Sequence, residues 1–172
     1  VPFDLLLVAV GRRTVLHGLG AKEVGIRLTE RGQLELADYL ATSYPHIYAC
    51  GDVAGSYQFT HPASHQAWFA AINGLYGDFW RFRVNYDVIP WATYVDPEVA
   101  TVGLTETAAT EKGVQFDVTR YELDDLDRAI AEGEDHGWIK VLTAKGSDRI
   151  LGATVVGHHA GELISEYVNA MS

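Results

Sequence analysis

Apolar residues run almost unbroken from Phe3 to Val10, and Gly11-Arg12-Arg13 close the run. So short a block, ended by Gly, predicts a strand buried on both faces of a parallel sheet. A polar stretch with Gly18, Gly20, Gly25 and Gly32 as breakers follows, then the alternating Leu34-Glu35-Leu36-Ala37-Asp38. Pro45 to Asp52 reads as a second short apolar strand ending in Gly-Asp. From Pro62 to Tyr76 the spacing of Ala63, Ala67, Ala70, Ala71 and Leu75 is helical, with Thr60 or His61 as the entry. The second half alternates differently: strand 91–103, helix 106–112 with Thr105 as N-cap, strand 115–122, an acidic loop, strand 137–143, a turn at 145–148, strand 149–157 and a last helix from Gly161. Hairpins flanked by helices predict an antiparallel α+β unit.

Charge divides the chain in the same place. Of 172 residues, 13 are Lys or Arg and 23 are Asp or Glu, giving a net charge of −10. Residues 1–86 hold seven acids and seven bases, whereas residues 87–172 hold sixteen acids and six bases. Two units, 1–86 and 87–172, are the expectation. The acidic balance argues against a nucleic-acid partner, which would need clustered cations. A single cysteine excludes an internal disulfide framework and a cysteine-based zinc site, and points to a reducing compartment. No signal-peptide or membrane-spanning pattern stands in the sequence, so a cytoplasmic location is expected.

Composition adds two surface expectations. Nine of the nineteen aromatic residues fall between Trp68 and Tyr94, a density that predicts burial in a junction or partner surface. Residues 117–135 carry eight acids and two bases, so like-charge repulsion predicts a solvated loop over 123–136 that Gly133 loosens further. On the last helix, Leu163, Ile164, Tyr167, Val168 and Met171 form one apolar face, which predicts self-association.

The candidate chemistry begins at Gly51-Asp52. Ligands of open α/β sheets bind beyond the carboxyl ends of strands, where a carboxylate can accept a hydroxyl hydrogen bond and Gly permits close approach. Gln58-Phe59-Thr60-His61 leads into the helix carrying Pro62, whose N-terminal dipole would favour developing negative charge. His61 and His65 have helical metal-ligand spacing but no third ligand nearby, so a metal is not expected. Cys50, without a cationic sequence neighbour, reads as a small buried hydrophobe rather than a nucleophile.

VAVGRR at 8–13, GQLELADYLATSYPHIYACGDVAG at 32–55, FTHPA at 59–63 and DPEVATVGLTE at 96–106 together resemble the pyridine nucleotide-disulfide oxidoreductases, among them dihydrolipoamide dehydrogenase, glutathione reductase and mercuric reductase. The resemblance covers almost the whole chain. It implies an α/β remnant of the FAD- and NAD(P)-binding domains over 1–86, followed by an α+β dimerisation domain with an antiparallel sheet over 87–172. It implies FAD and NAD(P)H as cofactors of the intact enzyme, a homodimer, and a small-molecule or disulfide substrate.

By the same resemblance, Gly11 lies on the nicotinamide-dinucleotide side, Asp52 binds the flavin ribitol, and Gln58, Phe59, Thr60 and His61 hold the stretch whose backbone meets the flavin ring. Of that stretch only His61 matches the family in letter. DRAIAEGEDHGWIKVL and RILGATVVG look nearest to the mercuric-reductase-like branch, and the His158-His159 region opens the interface helix. The family's cysteine pair, its two GxGxxG turns and its late His-Pro with Glu have no counterpart among these 172 residues. The chain is therefore expected to be the back third of a longer enzyme, without catalytic residues of its own and inactive alone. The competing expectation is a non-catalytic interaction module that reuses the dimerisation fold.

Overall fold

A computed structural model describes residues 2–55 and 57–172. Contacts cluster into two units, Val1–Val84 and Asn85–Ser172.

In the first unit, the apolar run at 3–10 forms no strand: it is irregular, with Leu5 89% and Val10 93% exposed. This corrects the expectation of a buried parallel strand. A strand is held by ladder hydrogen bonds to neighbours, and no second strand pairs with this one among the described residues. The predicted strand at 45–52 also gives way to tighter local structure. A bridge joins Ala41 to Tyr48, Thr42 N donates to Ile47 O at 2.8 Å and Ala49 N to Leu40 O at 3.0 Å. The chain then turns through a 3₁₀ segment, Gly51–Ala54.

The predicted helix is present as α1, Thr60–Tyr76, with Phe59 as its N-cap residue. Its buried residues are Pro62, Gln66 and Asn73, while Trp68 and Leu75 face solvent. The polar groups tolerate burial because they are bonded. Gln66 Oε1 accepts from Gly51 N at 2.7 Å. Asn73 Nδ2 donates to the carbonyls of Tyr39 and Phe82 at 3.2 and 2.8 Å, and its Oδ1 accepts from Phe82 N at 2.8 Å. Asn73 thus ties the chain leaving α1 back onto the helix. The aromatics after Trp68 are largely on the surface rather than buried, Phe79 and Trp80 being 82% and 76% exposed.

The second unit is a five-stranded antiparallel sheet in the order β1-β2-β5-β4-β3. The strands are β1 Trp91–Thr93, β2 Val99–Gly103, β3 Phe116–Glu122, β4 Trp138–Ala144 and β5 Ile150–Val156. The single strand expected at 91–103 is divided into β1 and β2, which pair Trp91 with Thr101 and Thr93 with Val99. Between β2 and β3, helix α2 (Glu106–Glu111) starts where expected, with Thr105 Oγ1 accepting from Ala108 N. The 123–136 segment is not wholly loop. It contains helix α3, Asp127–Glu132, and Gly133 ends it in the left-handed conformation rather than loosening it.

Helix α4, Ala160–Met171, packs on one sheet face. There Ala100, Val102, Ala153, Val155, Ala160 and Ile164 form the buried core, and Tyr167, Val168 and Met171 pack against it. The apolar face expected to drive self-association is therefore spent mostly on the protein's own sheet, with Leu163 left 40% exposed. Small residues make the close approach possible: Gly103 and Gly152 sit opposite each other on β2 and β5, and a Cβ on Gly103 would meet Met171 Cε of α4 at 2.7 Å. On the other face a polar rung, Thr101, Thr154, Lys140 and Arg120, crosses β2, β5, β4 and β3. Trp138 lies near both cations, 5.0 Å from the Arg120 guanidinium and 5.1 Å from Lys140 Nζ.

Candidate functional site

Asp52 stands in the 3₁₀ turn just after the 41–48 bridge, where Gly51 adopts φ 76°. That turn lies close to the first turn of α1, since a Cβ on Gly51 would meet Ala63 Cβ at 3.4 Å. Gln66, one helical turn further on, holds the Gly51 amide. The turn's backbone is thus fastened to the helix that follows it.

The Asp52 carboxylate is fastened from another direction. Arg12 Nη1 donates to Asp52 Oδ2 at 3.0 Å and to the Gln58 carbonyl at 2.8 Å. Arg12 and Asp52 remain 62% and 53% exposed, so the pair is open to solvent and to a ligand. The guanidinium joins three separate stretches: the end of the 3–13 run, the Gly-Asp turn and the approach to α1.

Two adjoining clefts meet around this arginine. One, about 410 Å³, is lined by Arg12, Arg13, Thr14, Asp52, Val53 and Gln58. The other, about 710 Å³, includes Gly11, Arg31, Gln33, Gly55, Gln58 and Phe59 in its wall. Three arginines against one carboxylate make this rim locally cationic in an otherwise acidic protein, a setting that suits an anionic ligand. The Thr14 hydroxyl is buried at the same place without a hydrogen-bond partner among the described residues. A buried unsatisfied hydroxyl is costly, and a polar ligand offers it an acceptor.

Of the six residues expected at the cofactor, four line these clefts: Gly11, Asp52, Gln58 and Phe59. Thr60 and His61 lie on the first turn of α1 and are absent from both linings. The His61 ring stacks on Phe59 at 5.8 Å with an interplanar angle of 12°. Phe59, the N-cap residue of α1, makes no side-chain cap hydrogen bond, and a helix N-terminus carries a partial positive charge. Gly11, at φ 130°, has open space where a Cβ would be.

The other candidates fall into structural settings. His65 packs edge-on against Phe69 at 4.9 Å. His158 and His159 precede α4 with rings 3.8 Å apart, His159 being the N-cap residue at φ 56°. Cys50 is half-buried before the 3₁₀ turn. Sequence reasoning missed Arg12, Arg13 and Thr14 as site residues. Two arginines directly after Gly11 were the available signal, but only folding brings them to Asp52.

The fold and this geometry can be set beside known proteins. Residues 89–172 match the pyridine nucleotide-disulphide oxidoreductase dimerisation domain, and residues 1–67 match the pyridine nucleotide-disulphide oxidoreductase family model. A dihydrolipoyl dehydrogenase of Chlamydia muridarum is 37% identical over 98% of this chain and 36% of its own length. The mitochondrial dihydrolipoyl dehydrogenase of Dictyostelium discoideum is 39% identical over 98% of this chain and 34% of its own length. Among solved structures, the HOCl-induced flavoprotein disulfide reductase RclA from Escherichia coli superposes with a TM-score of 0.81, at 25% identity, over 95% of this chain and 37% of that one. The chain spans about a third of the length of the curated relatives it matches. With both of its units matched by models of one family, in the family's order, the chain belongs to the pyridine nucleotide-disulphide oxidoreductases.

Proposed function

We propose that this chain is the C-terminal part of an FAD-dependent NAD(P)H:disulfide-type oxidoreductase, supplying one side of the flavin site and the surface through which two copies pair. Residues 1–86 are then the end of the NAD(P)- and FAD-binding domains, and residues 87–172 the dimerisation domain. The observation that carries this reading is Asp52, held by Arg12 at the mouth of a cationic cleft, on the Gly-Asp turn that precedes α1.

The residues fit part of such a cofactor. Asp52 offers a carboxylate to a ribitol hydroxyl, and charge-assisted bonds of this kind are the stronger ones. Gln58 to His61 lead into the start of α1, where the helix dipole favours an electron-rich ring edge. Gly11 leaves its side of the cleft open for a nicotinamide dinucleotide to approach. The arginine rim and the orphaned Thr14 hydroxyl suit the charged phosphates of a dinucleotide.

When bound, the flavin would accept hydride from NAD(P)H and pass electrons on to a disulfide or comparable acceptor. This chain's part is to bind and orient: Cys50 is its one cysteine, so a dithiol must come from elsewhere in the protein. The dimerisation-domain match supports self-association, and a homodimer is the form we propose. No helix among the described residues is long and apolar enough to cross a membrane, and we take the cytoplasm as the site of action.

The experiment is flavin retention in the full-length protein. Asp52→Ala is expected to lower the ratio of flavin to protein absorbance after gel filtration, by about tenfold in affinity for a lost charged hydrogen bond. His65→Ala, whose ring packs against Phe69, is expected to leave that ratio close to native. An Asp52→Ala protein that keeps its flavin as tightly as the native one would refute the assignment.

A further inference from the structure

We propose that the segment from Leu75 to Arg83, at the end of the first unit, docks the protein onto a phospholipid surface that bears anionic headgroups. The proposal stands on this segment and does not depend on the flavin reading of Asp52.

Leu75, Tyr76, Phe79 and Trp80 are 74%, 58%, 82% and 76% exposed, and none of them lines either cleft around Arg12. Their spacing, i, i+1, i+4 and i+5, puts them on one face of a helical coil. The coil continues past the end of α1, because Phe79 N and Trp80 N both donate to Tyr76 O, at 2.9 and 3.0 Å. Side chains this exposed stand out from the surface, and an apolar group of them marks a contact site for a protein or a membrane. The backbone beneath is fixed. Asn73, itself 2% exposed, holds both the N–H and the carbonyl of Phe82, each at 2.8 Å. With its base tied to a buried amide, the segment presents these side chains instead of folding over them.

Charge decides between the two kinds of contact. Phe79-Trp80-Arg81-Phe82-Arg83 interleaves rings with cations in a protein of net charge −10, and Asp78 is the one acid between Leu75 and Arg83. Arg81 Nε donates to Gly77 O at 3.0 Å and its guanidinium lies 5.9 Å from the Tyr39 ring, so its partners are a carbonyl and a ring rather than a carboxylate. Arg83 pairs with Asp38, but at 67% and 64% side-chain exposure that contact is weak enough for a lipid phosphate to displace it. Guanidinium groups bond phosphate through paired N–H donors, while Trp and Tyr set an apolar ring below the headgroups and a polar end among them. A protein partner would need a cavity shaped to four protruding side chains, whereas acyl chains part around them. The contact is interfacial, with the rings at headgroup depth and no segment crossing the bilayer.

The test is cosedimentation of the full-length protein with vesicles of phosphatidylcholine containing roughly one-third phosphatidylserine, against phosphatidylcholine alone. Binding is expected on the anionic vesicles and should weaken as salt is raised. Phe79→Ser/Trp80→Ser is expected to weaken it about tenfold or more, and Arg81→Gln/Arg83→Gln about fivefold for each arginine lost. Vesicles of brominated lipid should quench the native tryptophan fluorescence, and Trp80→Phe, which keeps a ring, should still bind but be quenched less. Far-UV circular dichroism and flavin content should match the native protein in every variant, since the substituted side chains are exposed. No binding of the full-length protein to anionic vesicles, or equal binding by Phe79→Ser/Trp80→Ser, would overturn the proposal. So would a Trp80 contribution shielded from iodide in the vesicle-free protein, which would show the segment covered by other residues of the same chain. Loss of dimers in Phe79→Ser/Trp80→Ser with vesicle binding intact would assign the segment to a second copy and overturn it equally.

Discussion

Glu98 Oε2 accepts a hydrogen bond from Gly161 N at 3.0 Å, across 63 residues, and so serves the first turn of α4 from the adjoining β1–β2 connection. His159, the residue in the N-cap position, makes no side-chain cap of its own. The backbone carbonyl of Glu98 also accepts from Gly157 N at 3.0 Å, so one residue holds both the end of β5 and the start of α4.

Loss of this carboxylate should destabilise the second unit. Glu98→Ala is expected to cost about 1–2 kcal/mol, the usual range for a lost cap at a helix N-terminus. Glu98→Gln, which keeps an acceptor but no charge, should cost less. Urea unfolding followed by circular dichroism checks both, and a Glu98→Ala midpoint equal to the native one would contradict the capping role.

Asp117 predicts an acid response. Its pKa lies below the ordinary carboxylate value, first because Gly146 N donates to Oδ2 at 2.9 Å and next because Lys145 donates to Oδ1. A depressed folded-state pKa adds stability above the unfolded value, and that stability disappears as pH falls through the folded one. Asp117→Asn should therefore be less stable than the native protein near neutrality, and the gap should close as the pH falls below the ordinary carboxylate value and through the lowered folded-state one. Thermal melts at a series of pH values read this directly. A gap that widens on acidification would reverse the sign and exclude the mechanism.

Self-association is expected through residues 89–172, the part that matches the dimerisation domain. Much of the apolar face of α4 is already packed on the sheet, so the contact surface must draw on other exposed groups besides Leu163. Sedimentation equilibrium at roughly tens of micromolar, the scale of ordinary association constants, should detect dimers. A strict monomer throughout that range would count against pairing by this chain alone.

The 172-residue chain by itself should be colourless and inactive. Asp52 and the start of α1 offer a few hydrogen bonds, each about 0.5–1.5 kcal/mol net and about 1.5–3 where the acceptor is charged. Association costs roughly 4–15 kcal/mol. Purified chain is expected to carry no visible flavin band and to oxidise no NAD(P)H with a disulfide present. Stoichiometric flavin copurifying with it would mean that this side of the site binds far more strongly than its contacts account for.

The sequence by itself determined the elements whose causes are local. Thr105 caps α2 because its hydroxyl reaches an amide three residues away, and Pro62 falls in the first turn of α1, where a missing N–H costs nothing. The hairpin strands in the second unit followed from alternation and from the turn at Lys145 to Asp148. Asp52 stood out as a candidate from its motif and neighbourhood, and the fold sets it beside Arg12 in a cleft. Tertiary structure decided what depends on partners remote in sequence. The run at 3–10 has strand composition, but a strand needs a neighbour to receive its hydrogen bonds, and the described residues provide none. Helix α1 buries Gln66 and Asn73 while exposing Trp68 because distant backbone groups satisfy those amides, an inversion that periodicity alone cannot reveal. The α4 stripe was recognisable as apolar, yet whether it meets its own sheet or another molecule depended on the packing of β2 and β5 beneath it. Arg12 is separated from Asp52 by 40 residues, so a guanidinium that adjoins Gly11 in sequence joins the site only when the chain folds back on itself.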